Sequence, residues 1–330
     1  MLYTQTTVVW VYLPAERILM RLGIDLGGTK IEIIALKNNG DAVFRHRVDT
    51  PQGDYQRTLK AIVSLVEQTK QFLVNHALIK SSDSEQISIG IGIPGAISLK
   101  TGLVKNANSV CLIGQPLQED LQKQLKQPIR INNDANCLTV SEAIDGAAAG
   151  CDVVFGVILG TGTGGGIAVH QQVISGANSI AGEWGHNPMP WHAEDDGQTV
   201  PCYCGQQNCI ETFLSGPGML QRYLQSGGTA NTSRDIIAQA SSGDKQADLF
   251  MQKYEHWLAR GLASVINILD PDAIVLGGGL SNIDRLYQNV PELWQAYVFS
   301  DQVITRLVKA KHGDSSGVRG AAWLWPAVKA

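Results

Sequence analysis

The sequence predicts an α/β fold organised as two domains. Its 330 residues, 44% of them hydrophobic, can bury more than one core at usual domain sizes. Short apolar runs typical of strands alternate with longer runs of helical periodicity. A strand, a glycine loop and a second strand open the chain, and the same series returns from residue 153, which indicates an internal duplication.

The first half of the chain is predicted to begin with a β-hairpin. Residues 22–25 and 31–36 are apolar strand patterns separated by a glycine turn. Leucine, isoleucine and valine at helical spacing then predict a helix over residues 54–75. A polar loop at Ser81–Gln86 leads into an apolar strand at Ile87–Ile93.

The domain boundary is predicted beside the segment 132–134. A strand at 129–131 ends there, and the Asn and Asp side chains can cap an alanine-rich helix that follows to residue 149. Beyond it, a strand at Val153–Leu159, a glycine run and a strand at 167–170 repeat the opening scheme. The second domain therefore starts with the same kind of hairpin as the first.

The last third of the chain is predicted to combine a long helix with a buried strand. Apolar residues at helical spacing indicate a helix at 249–269, which Pro271 stops. An apolar strand at 273–276 runs into three glycines. Residues 315–324 are predicted to form a terminal helix.

Charge and cysteine content argue against several classes of protein. The formal net charge of −4 and the lack of any lysine- or arginine-rich run disfavour a nucleic-acid partner. The apolar stretch 8–13 lacks the basic flank of a signal peptide and is too short to span a bilayer, so no membrane partner is expected. Three of the six cysteines lie between Cys202 and Cys209, which suggests a metal site in a reducing cytosol rather than disulfides.

Two glycine-rich segments have the composition of phosphate-binding loops. Glycines let backbone N–H groups surround phosphate oxygens, and residues 25–30 and 160–166 each follow a buried strand and carry threonine hydroxyls. The second segment contains G-x-G-x-x-G at Gly160, Gly162 and Gly165, but a strand pattern follows it where a dinucleotide fold requires a helix. The first lacks the residue order of a Walker loop. Two such hairpins, one in each domain, predict instead a nucleotide held between the domains.

With these segments the chain resembles the ROK sugar kinases, a branch of the actin/hexokinase-like ATPases, and among them most of all the bacterial fructokinases, also called manno(fructo)kinases. The resemblance covers residue 20 to the end of the chain. It rests on residues 25–30, the N-N-D-A-N run from Asn132, residues 160–166, the E-W-G-H run from Glu183, the cysteine motif from Cys202 to Glu211, and the glycines 277–279. It implies two ribonuclease-H-like α/β domains with an interdomain cleft.

On this basis the chain is divided into three parts. Residues 1–19 are interpreted as an N-terminal extension, with a short extra strand or a dimer arm as the alternatives. Residues 20–133, joined by a C-terminal helix at 313–330, are assigned to a small N-terminal domain, and residues 134–312 to a large domain that contains the cysteine motif. The resemblance also implies a cytoplasmic homodimer.

The resemblance implies that two glycine loops bind the phosphates of ATP and that a third glycine turn lies near its adenosine. The residues are Gly23, Ile24, Asp25, Leu26, Gly27, Gly28, Thr29 and Lys30 in the first loop, Gly160, Thr161, Gly162, Thr163, Gly164, Gly165, Gly166 and Ile167 in the second, and Gly277, Gly278 and Gly279 in the third. Asp25 adds a carboxylate that can hold Mg²⁺ through water, or alternatively cap its glycine turn.

Phosphoryl transfer requires an in-line hydroxyl, neutralised charge and a carboxylate that accepts the hydroxyl proton. Asp134 is the candidate base, because an ordinary aspartate is ionised at neutral pH; capping the following helix is the competing role, and the two are compatible. Paired carboxylates suit vicinal hydroxyls, since each oxygen accepts one O–H. The resemblance implies that the sugar is held by Gly95, Asn106, Asn133, Asp134, Glu183, His186 and Glu211.

The residues His186, Cys202, Cys204 and Cys209 predict a structural Zn²⁺ bound by one imidazole and three thiolates. A disulfide and unreactive buried thiols are the alternatives. The family motif has a glycine where this chain has Asn208, and asparagine tolerates left-handed backbone geometry fairly well. If one nitrogen of the imidazole binds zinc, the other is fixed as an N–H donor within reach of a sugar hydroxyl.

The expected reaction is phosphorylation of D-fructose by ATP, with Mg²⁺, to give fructose 6-phosphate and ADP. The choice of fructose rests on the resemblance alone, including the insertion 190–201. Kinases of mannose, glucose or N-acetylglucosamine from the same family are the nearest alternatives. A non-catalytic, sugar-responsive regulator is the alternative from another class, although about twenty residues before the first glycine loop are too few for a helix-turn-helix domain. A sugar-binding protein without turnover is the third.

Overall fold

The computed structural model describes residues 18–107 and 109–326 of the chain, apart from the side chains of residues 84 and 85. Residues 1–17 of the predicted N-terminal extension lie outside this described part. Within the described residues, no helix is both long and apolar enough to cross a lipid bilayer.

The described chain forms two compact units, and the C-terminal segment belongs to the first of them. One unit contains residues 18–132 with 321–326, and the other contains residues 133–320. The boundaries assigned from the sequence, at 133/134 and 312/313, differ from these by one and eight residues. The larger difference arises because most of the last helix packs with the second unit.

In the first unit, five strands form one mixed sheet in the order β3-β2-β1-β4-β7 among the described residues. A short hairpin of β5 and β6 lies outside this sheet, and two helices complete the unit. The bounds are β1 (Met20–Leu26), β2 (Lys30–Leu36), β3 (Ala42–Asp49), α1 (Tyr55–Asn75), β4 (Ile87–Ile93), β5 (Ala96–Ile97), β6 (Val104–Lys105), α2 (Leu117–Leu125) and β7 (Ile129–Asn133).

In the second unit, the described residues form another five-stranded sheet in the order β10-β9-β8-β11-β12, accompanied by seven α-helices. Several of these helices lie between the end of the hairpin and the next strand. The bounds are α3 (Asp134–Ile144), β8 (Val153–Leu159), β9 (Thr163–Val169), β10 (Gln172–Val173), α4 (Glu211–Leu214), α5 (Gly216–Gln225), α6 (Ser233–Ser241), α7 (Lys245–Leu269), β11 (Ala273–Gly277), α8 (Arg285–Leu293), β12 (Arg306–Lys309) and α9 (Ser316–Ala322).

The two large sheets have the same topology, which confirms the internal duplication predicted from the sequence. In each, three consecutive strands pair antiparallel, and the first of the three then pairs in parallel with a later strand: β1 with β4, and β8 with β11. The order of strands is therefore 3-2-1-4-5 in both units. The predicted α/β fold is confirmed.

Burial explains why the central strands have continuous apolar runs instead of alternation. Every residue of β4 is buried, and so are all but one residue of β1 and all but the first residue of β2. A strand covered on both faces gains from apolar side chains at every position. In the second unit the long helix α7 supplies much of the core, including Tyr254, Trp257 and Leu258.

Some elements differ from the prediction, and each difference has a local cause. Ser81–Gln86, predicted as a loop, forms a 3₁₀ helix. The strand β3 was not predicted from the sequence. Its residues are exposed or half-buried, so it lacks the apolar run that indicates a strand. Helix α3 ends at Ile144 instead of residue 149, since the Ala147 N–H donates to the buried Glu142 carboxylate at 2.8 Å and the backbone leaves the helix.

The strand β9 starts four residues earlier than predicted. The glycines Gly164, Gly165 and Gly166 are part of the strand, and the turn of the hairpin is confined to residues 160–162. A glycine run does not by itself separate a loop from a strand, because glycine is permitted in both and is selected in a strand wherever another backbone approaches closely.

The buried Arg21 and the half-buried Arg130 hold the C-terminal segment on the first unit. Arg21 donates hydrogen bonds of 2.9 Å to the carbonyl oxygens of Trp325 and Pro326, and Arg130 donates one of 2.7 Å to the carbonyl oxygen of Leu324. Both guanidinium groups also lie over tryptophan rings of the segment. A Cβ atom on Gly90 of β4 would overlap the Ala321 carbonyl. The segment therefore packs directly on the sheet.

Gly90→Ala is expected to destabilise the first unit. The added methyl overlaps a backbone carbonyl, and overpacking of this kind costs about 1–3 kcal/mol, or more where the backbone cannot move. Chemical denaturation followed by tryptophan fluorescence would report the loss. Gly279→Ala is the matched control, since no atom lies within 4 Å of its Cβ position. An unchanged midpoint for Gly90→Ala would contradict this close packing.

Candidate functional site

In the first unit, the predicted phosphate loop is a tight turn between two strands. Gly23, Ile24, Asp25 and Leu26 lie in β1, Lys30 begins β2, and Gly27–Thr29 form the connection. The Gly27 N–H donates to the Lys30 carbonyl at 3.0 Å, and the Thr50 hydroxyl donates to the Gly27 carbonyl at 2.8 Å. The turn is therefore fixed by its own backbone and by the end of β3. The residues Gly28, Thr29 and Lys30 are exposed.

A cavity of about 280 Å³ lies beside this turn. Its lining includes Gly28 and the polar side chains of Thr50, Gln52 and Ser109. The Gln52 amide donates to the Gly28 carbonyl at 3.3 Å, so the turn forms part of the wall. Asp25 is half-buried near the carboxyl end of β1, where its carboxylate is a suitable type of ligand for a hard divalent cation.

Two predicted sugar contacts of the first unit lie against each other in the structure. A Cβ atom on Gly95 would lie 2.9 Å from the Lys105 carbonyl oxygen and 2.9 Å from Ala107 Cβ. Asn106, between these two residues, has a left-handed backbone with φ of 53°. The close approach of Gly95 to this strained segment brings the two positions together.

In the second unit, Asp134 is the first residue of α3. The side-chain oxygen of Asn133 accepts the Ala135 N–H at 2.8 Å and caps the helix, so capping does not depend on Asp134 alone. Burial raises the pKa of Asp134 above its usual value of 3.8, and the charge of Glu183 raises it further, while hydrogen bonds from Ala135 and Asn133 oppose the shift. The net result is a raised pKa. The negative charge of Glu183 therefore acts on the Asp134 carboxyl group.

The turn of the second hairpin is formed by Gly160, Thr161 and Gly162, and the Gly160 N–H donates to the Gly162 carbonyl at 3.0 Å. The rest of the predicted loop, Thr163 through Ile167, lies in β9. Only the turn residues thus have the geometry of a phosphate loop.

The strand residues Gly165 and Gly166 are needed for close packing. A Cβ atom on Gly165 would lie 2.8 Å from the carbonyl oxygen of Gly182, and one on Gly166 would lie 2.8 Å from the carbonyl oxygen of Ala135. A side chain at either position would displace a backbone segment. Helix α3 and the segment at Gly182 therefore approach β9 only because these residues lack a Cβ.

The segment of Glu183 and His186 packs on β9 as a short 3₁₀ helix, Trp184–His186. The Trp184 indole N–H donates to the Gly164 carbonyl at 3.2 Å, and the Cβ position of Gly185 overlaps the Thr163 carbonyl. No room is left for the segment to slide along the strand. The side chains of Glu183 and His186 are therefore positioned by the same strand that follows the phosphate turn.

Glu211 begins helix α4 and reaches the same strand from another side. Its Oε2 accepts the Thr163 N–H at 2.9 Å. The pKa of Tyr203 is raised to about 12. Loss of solvent around the hydroxyl is the largest cause, and the charge of the Glu211 carboxylate is the next, followed by the charges of Cys202 and Glu183. Glu183, Glu211 and Tyr203 therefore lie within electrostatic range of one another.

The four predicted metal ligands form a compact cluster. Their donor atoms all lie within 4.8 Å of one another, with the Cys202 sulfur 3.6 Å from His186 Nδ1 and the Cys204 sulfur 3.6 Å from that of Cys209. The separation of the Cys204 and Cys209 sulfurs is much longer than a disulfide bond, and all three cysteines are free. One imidazole nitrogen and three sulfurs in this arrangement suit a closed tetrahedral site.

The thiols differ in their tendency to ionise. Burial raises the pKa of Cys209 to about 12 and also raises that of Cys202, while a hydrogen bond from the Gln206 backbone lowers the pKa of Cys204. A cation bound here would displace the thiol protons, since thiolates are the ligands.

The second nitrogen of His186 has a protein partner. Nε2 lies 3.0 Å from the hydroxyl of Tyr203, whose ring meets the imidazole edge-on at 5.1 Å. A sugar hydroxyl that takes the Nε2 hydrogen bond would have to replace Tyr203. Sequence reasoning missed this tyrosine, because an aromatic residue between two cysteines has no periodic or motif signal.

The loop that carries the predicted metal ligands is anchored by a buried charge network. Asp196, from the insertion 190–201, accepts a hydrogen bond from Arg260 at 2.6 Å and from the Trp257 indole at 2.7 Å. Arg222 donates to the Asp196 and Thr212 carbonyls, each at 3.0 Å. Opposite charge and several hydrogen bonds stabilise these buried groups, although Arg260 Nε has no hydrogen-bond partner among the described residues. The insertion is therefore a structural anchor, and its presence does not by itself indicate a substrate.

Asn208 has the left-handed conformation predicted for it, with φ of 51°. Its side-chain oxygen accepts the Val200 N–H at 2.9 Å. The predicted tolerance of asparagine at this glycine position is confirmed, and the side chain adds a bond to the insertion.

The third glycine turn follows β11. Gly277 ends the strand, Gly278 has a left-handed φ of 82°, and Gly279 begins a 3₁₀ turn. A Cβ atom on Gly278 would lie 2.8 Å from the Leu159 carbonyl carbon, so this turn packs against the end of β8. It therefore lies beside the strand that leads into Gly160.

Comparison with known proteins identifies relatives over nearly the whole chain. The ROK family profile matches residues 21–328. The chain is 39% identical over 314 residues to an N-acetyl-D-glucosamine kinase of Yersinia pseudotuberculosis, covering 94% of this chain and 100% of that protein. It is 37% identical over 311 residues to an N-acetyl-D-glucosamine kinase of Pasteurella multocida, covering 93% and 99% of the two chains.

Solved structures give the same picture of the fold. A ROK hexokinase from Thermus thermophilus superposes with a TM-score of 0.79 at 25% identity, covering 93% of this chain and 97% of that one. A ROK family glucokinase from Streptomyces griseus, in complex with glucose and AMPPNP, has a TM-score of 0.70 at 25% identity and covers 93% and 99% of the two chains. The match extends through both units.

Proposed function

The chain belongs to the ROK family and is a sugar kinase, and we propose that it transfers the terminal phosphoryl group of ATP to N-acetyl-D-glucosamine. The main support for this acceptor is the similarity to N-acetyl-D-glucosamine kinases along their full length. These relatives favour the N-acetylglucosamine alternative over the fructose expected from the motifs. A cytoplasmic homodimer remains a prediction.

We propose that Asp134 is the general base. A carboxylate accepts the acceptor hydroxyl proton best when its pKa lies near the working pH, and burial beside Glu183 raises the pKa of Asp134 in that direction. Glu183, Glu211, Asn133 and His186 in the second unit, with Gly95 and Asn106 in the first, are the proposed sugar contacts. Their carboxylate, amide and imidazole groups match an acceptor rich in hydroxyls.

The proposed nucleotide contacts are the turns Gly27–Thr29 and Gly160–Gly162, with the turn at Gly278 nearer the nucleoside. The N–H groups of Gly27 and Gly160 hold the turns in shape, so the proposed phosphate donors are the N–H groups of the other turn residues. Both phosphate turns are fixed by internal hydrogen bonds, so they lose little conformational freedom on binding. Bound Mg²⁺ would neutralise phosphate charge, and Asp25 is the residue that would hold it through water.

We further propose that His186, Cys202, Cys204 and Cys209 hold a structural Zn²⁺. The donor set and its compactness fit this ion. When bound, zinc supplies a rigid cross-link without taking part in phosphoryl transfer. The consequence for the chain is that His186 and the start of α4, with Glu211, are held at fixed positions.

The substrate proposal predicts the outcome of a sugar panel. With ATP and Mg²⁺, a coupled ADP-release assay should give a kcat/KM for N-acetyl-D-glucosamine at least about tenfold above those for glucose, mannose and fructose, because an acetamido contact is lost with each of them. A higher kcat/KM for fructose would contradict the proposal and support the fructose acceptor that the resemblance implied. No ADP release with any sugar would instead support a non-catalytic binding protein or regulator.

The base proposal predicts that Asp134→Asn retains sugar binding and loses turnover by about 10²–10⁴-fold, the usual contribution of a general base. Asn133 still caps α3 in this variant, so the fold should be retained. Calorimetric sugar binding and kcat at saturating substrates are the two measurements. Turnover close to that of the unaltered protein would remove Asp134 from this role.

The pH dependence of kcat provides the control for this assignment. In the unaltered protein, the activity should fall with decreasing pH around a midpoint above 3.8, because the raised pKa makes Asp134 take up its proton earlier. Glu183→Gln removes a neighbouring negative charge, so the pKa of Asp134 falls and the acid limb should move to lower pH. An acid limb that does not move would exclude electrostatic coupling of the two carboxylates.

The zinc proposal predicts close to one equivalent of zinc in purified protein. Cys204→Ser should lose zinc and weaken sugar binding more than it weakens binding of a non-hydrolysable ATP analogue, because the ligands adjoin Glu211 directly and reach the turn at residue 160 only through it. Cys151→Ser is the control, since Cys151 lies outside the cluster and its sulfur contacts Arg306 elsewhere in the second unit. Active protein without zinc would defeat the proposal.

A further inference from the structure

One carboxylate of the proposed sugar site also contacts the strand after the phosphate turn. Glu211 Oε2 accepts the Thr163 N–H at 2.9 Å, and Thr163 directly follows the turn residue Gly162. A hydrogen bond between an ionised carboxylate and a backbone N–H is among the stronger ones in proteins. The position of the turn is therefore coupled to that of the carboxylate.

The two oxygens of this carboxylate have different surroundings. Oε2 is taken by Thr163, while no hydrogen bond to Oε1 occurs among the residues described by the structure. Glu211 is half-buried, so the group retains access from one side. A ligand hydroxyl can use Oε1 without breaking the contact to the turn.

Steric fit makes the contact sensitive to residue 162. A Cβ atom on Gly162 would lie 2.9 Å from Glu211 Oε2, closer than nearly all real contacts of a methyl carbon. The neighbouring strand is equally confined, since the Trp184 indole holds the Gly164 carbonyl at 3.2 Å. The strand cannot easily shift to relieve a conflict, so the carboxylate would have to move.

We propose that Glu211 is a positioning residue that joins the two halves of the active site, with Oε2 holding the strand behind the phosphate turn and Oε1 receiving a hydroxyl of the acceptor sugar. This inference rests on the proposed function and adds a role that a sugar contact alone does not have. Its consequence is that a change on the nucleotide side of the contact alters sugar affinity, and the loss of Glu211 alters nucleotide affinity.

The first test changes the turn and measures the sugar. Gly162→Ala should weaken binding of N-acetyl-D-glucosamine, measured by calorimetry without nucleotide, by about tenfold, since the added methyl displaces a charged acceptor. Gly164→Ala is the matched control for this nucleotide-free affinity, because its Cβ would meet only the Ala135 methyl at an ordinary 3.6 Å. Equal sugar affinity in the two variants would overturn the proposal.

The second test changes Glu211 and measures both ligands. Glu211→Gln keeps an oxygen that can accept the Thr163 N–H, so affinity for AMPPNP should stay within about twofold of the unaltered protein while sugar affinity falls about tenfold. Glu211→Ala removes both contacts and should weaken AMPPNP as well. Circular dichroism and zinc content would verify that each variant is folded.

The outcomes separate the inference from the function on which it rests. Unchanged AMPPNP affinity in Glu211→Ala, or unchanged sugar affinity in Glu211→Gln, would reduce Glu211 to a contact of one ligand and overturn the joining role. If the unaltered protein binds no sugar at all, the proposal of N-acetyl-D-glucosamine as the acceptor is contradicted, whatever the role of Glu211. The AMPPNP measurements on the two Glu211 variants would still decide whether this carboxylate holds the turn.

Discussion

The absence of Cβ atoms along β9 is the constraint on which the candidate site depends. Gly166 lets helix α3 approach the strand, since a Cβ there would lie 2.8 Å from the Ala135 carbonyl oxygen. Gly165 does the same for the segment at Gly182 on the way to Glu183. Larger residues would push both elements outward, and protein interiors do not absorb such shifts cheaply. The proposed base and the proposed sugar contacts of the second unit therefore take their positions from one strand of small residues.

Electrostatics then distinguishes the carboxylates gathered by this packing. Burial raises the pKa of Asp134, and the charge of Glu183 raises it further. Glu211 Oε2 accepts a hydrogen bond from the Thr163 N–H at 2.9 Å. A group that must exchange a proton benefits from the first environment, whereas a group that only accepts hydrogen bonds benefits from the second. Two acidic side chains of similar intrinsic chemistry are thus suited to different roles.

The sequence predicted what depends on local pattern and missed what depends on tertiary contact. Continuous apolar runs predicted β1, β4 and β8, and the compact cluster of His186 with three cysteines followed from their spacing. The glycine run after β8 was assigned to a loop because composition cannot tell a phosphate turn from a strand that another backbone must approach. Fructose was expected as the acceptor from the resemblance alone, and residues that bind hydroxyls common to many hexoses do not carry that distinction.

The insertion 190–201 illustrates how a feature without catalytic groups can still support a site. Asp196 is held by Arg260 and Trp257, and Arg222 ties the same loop to Thr212 beside Glu211. These buried hydrogen bonds anchor the loop next to the four predicted metal ligands, whose donor atoms lie within 4.8 Å of one another. A cation that binds there meets a preorganised set, so most of its binding energy can stabilise the positions of the imidazole and thiolates instead of folding the loop. In this arrangement the charged network anchors the loop, and a bound metal would make the cluster rigid.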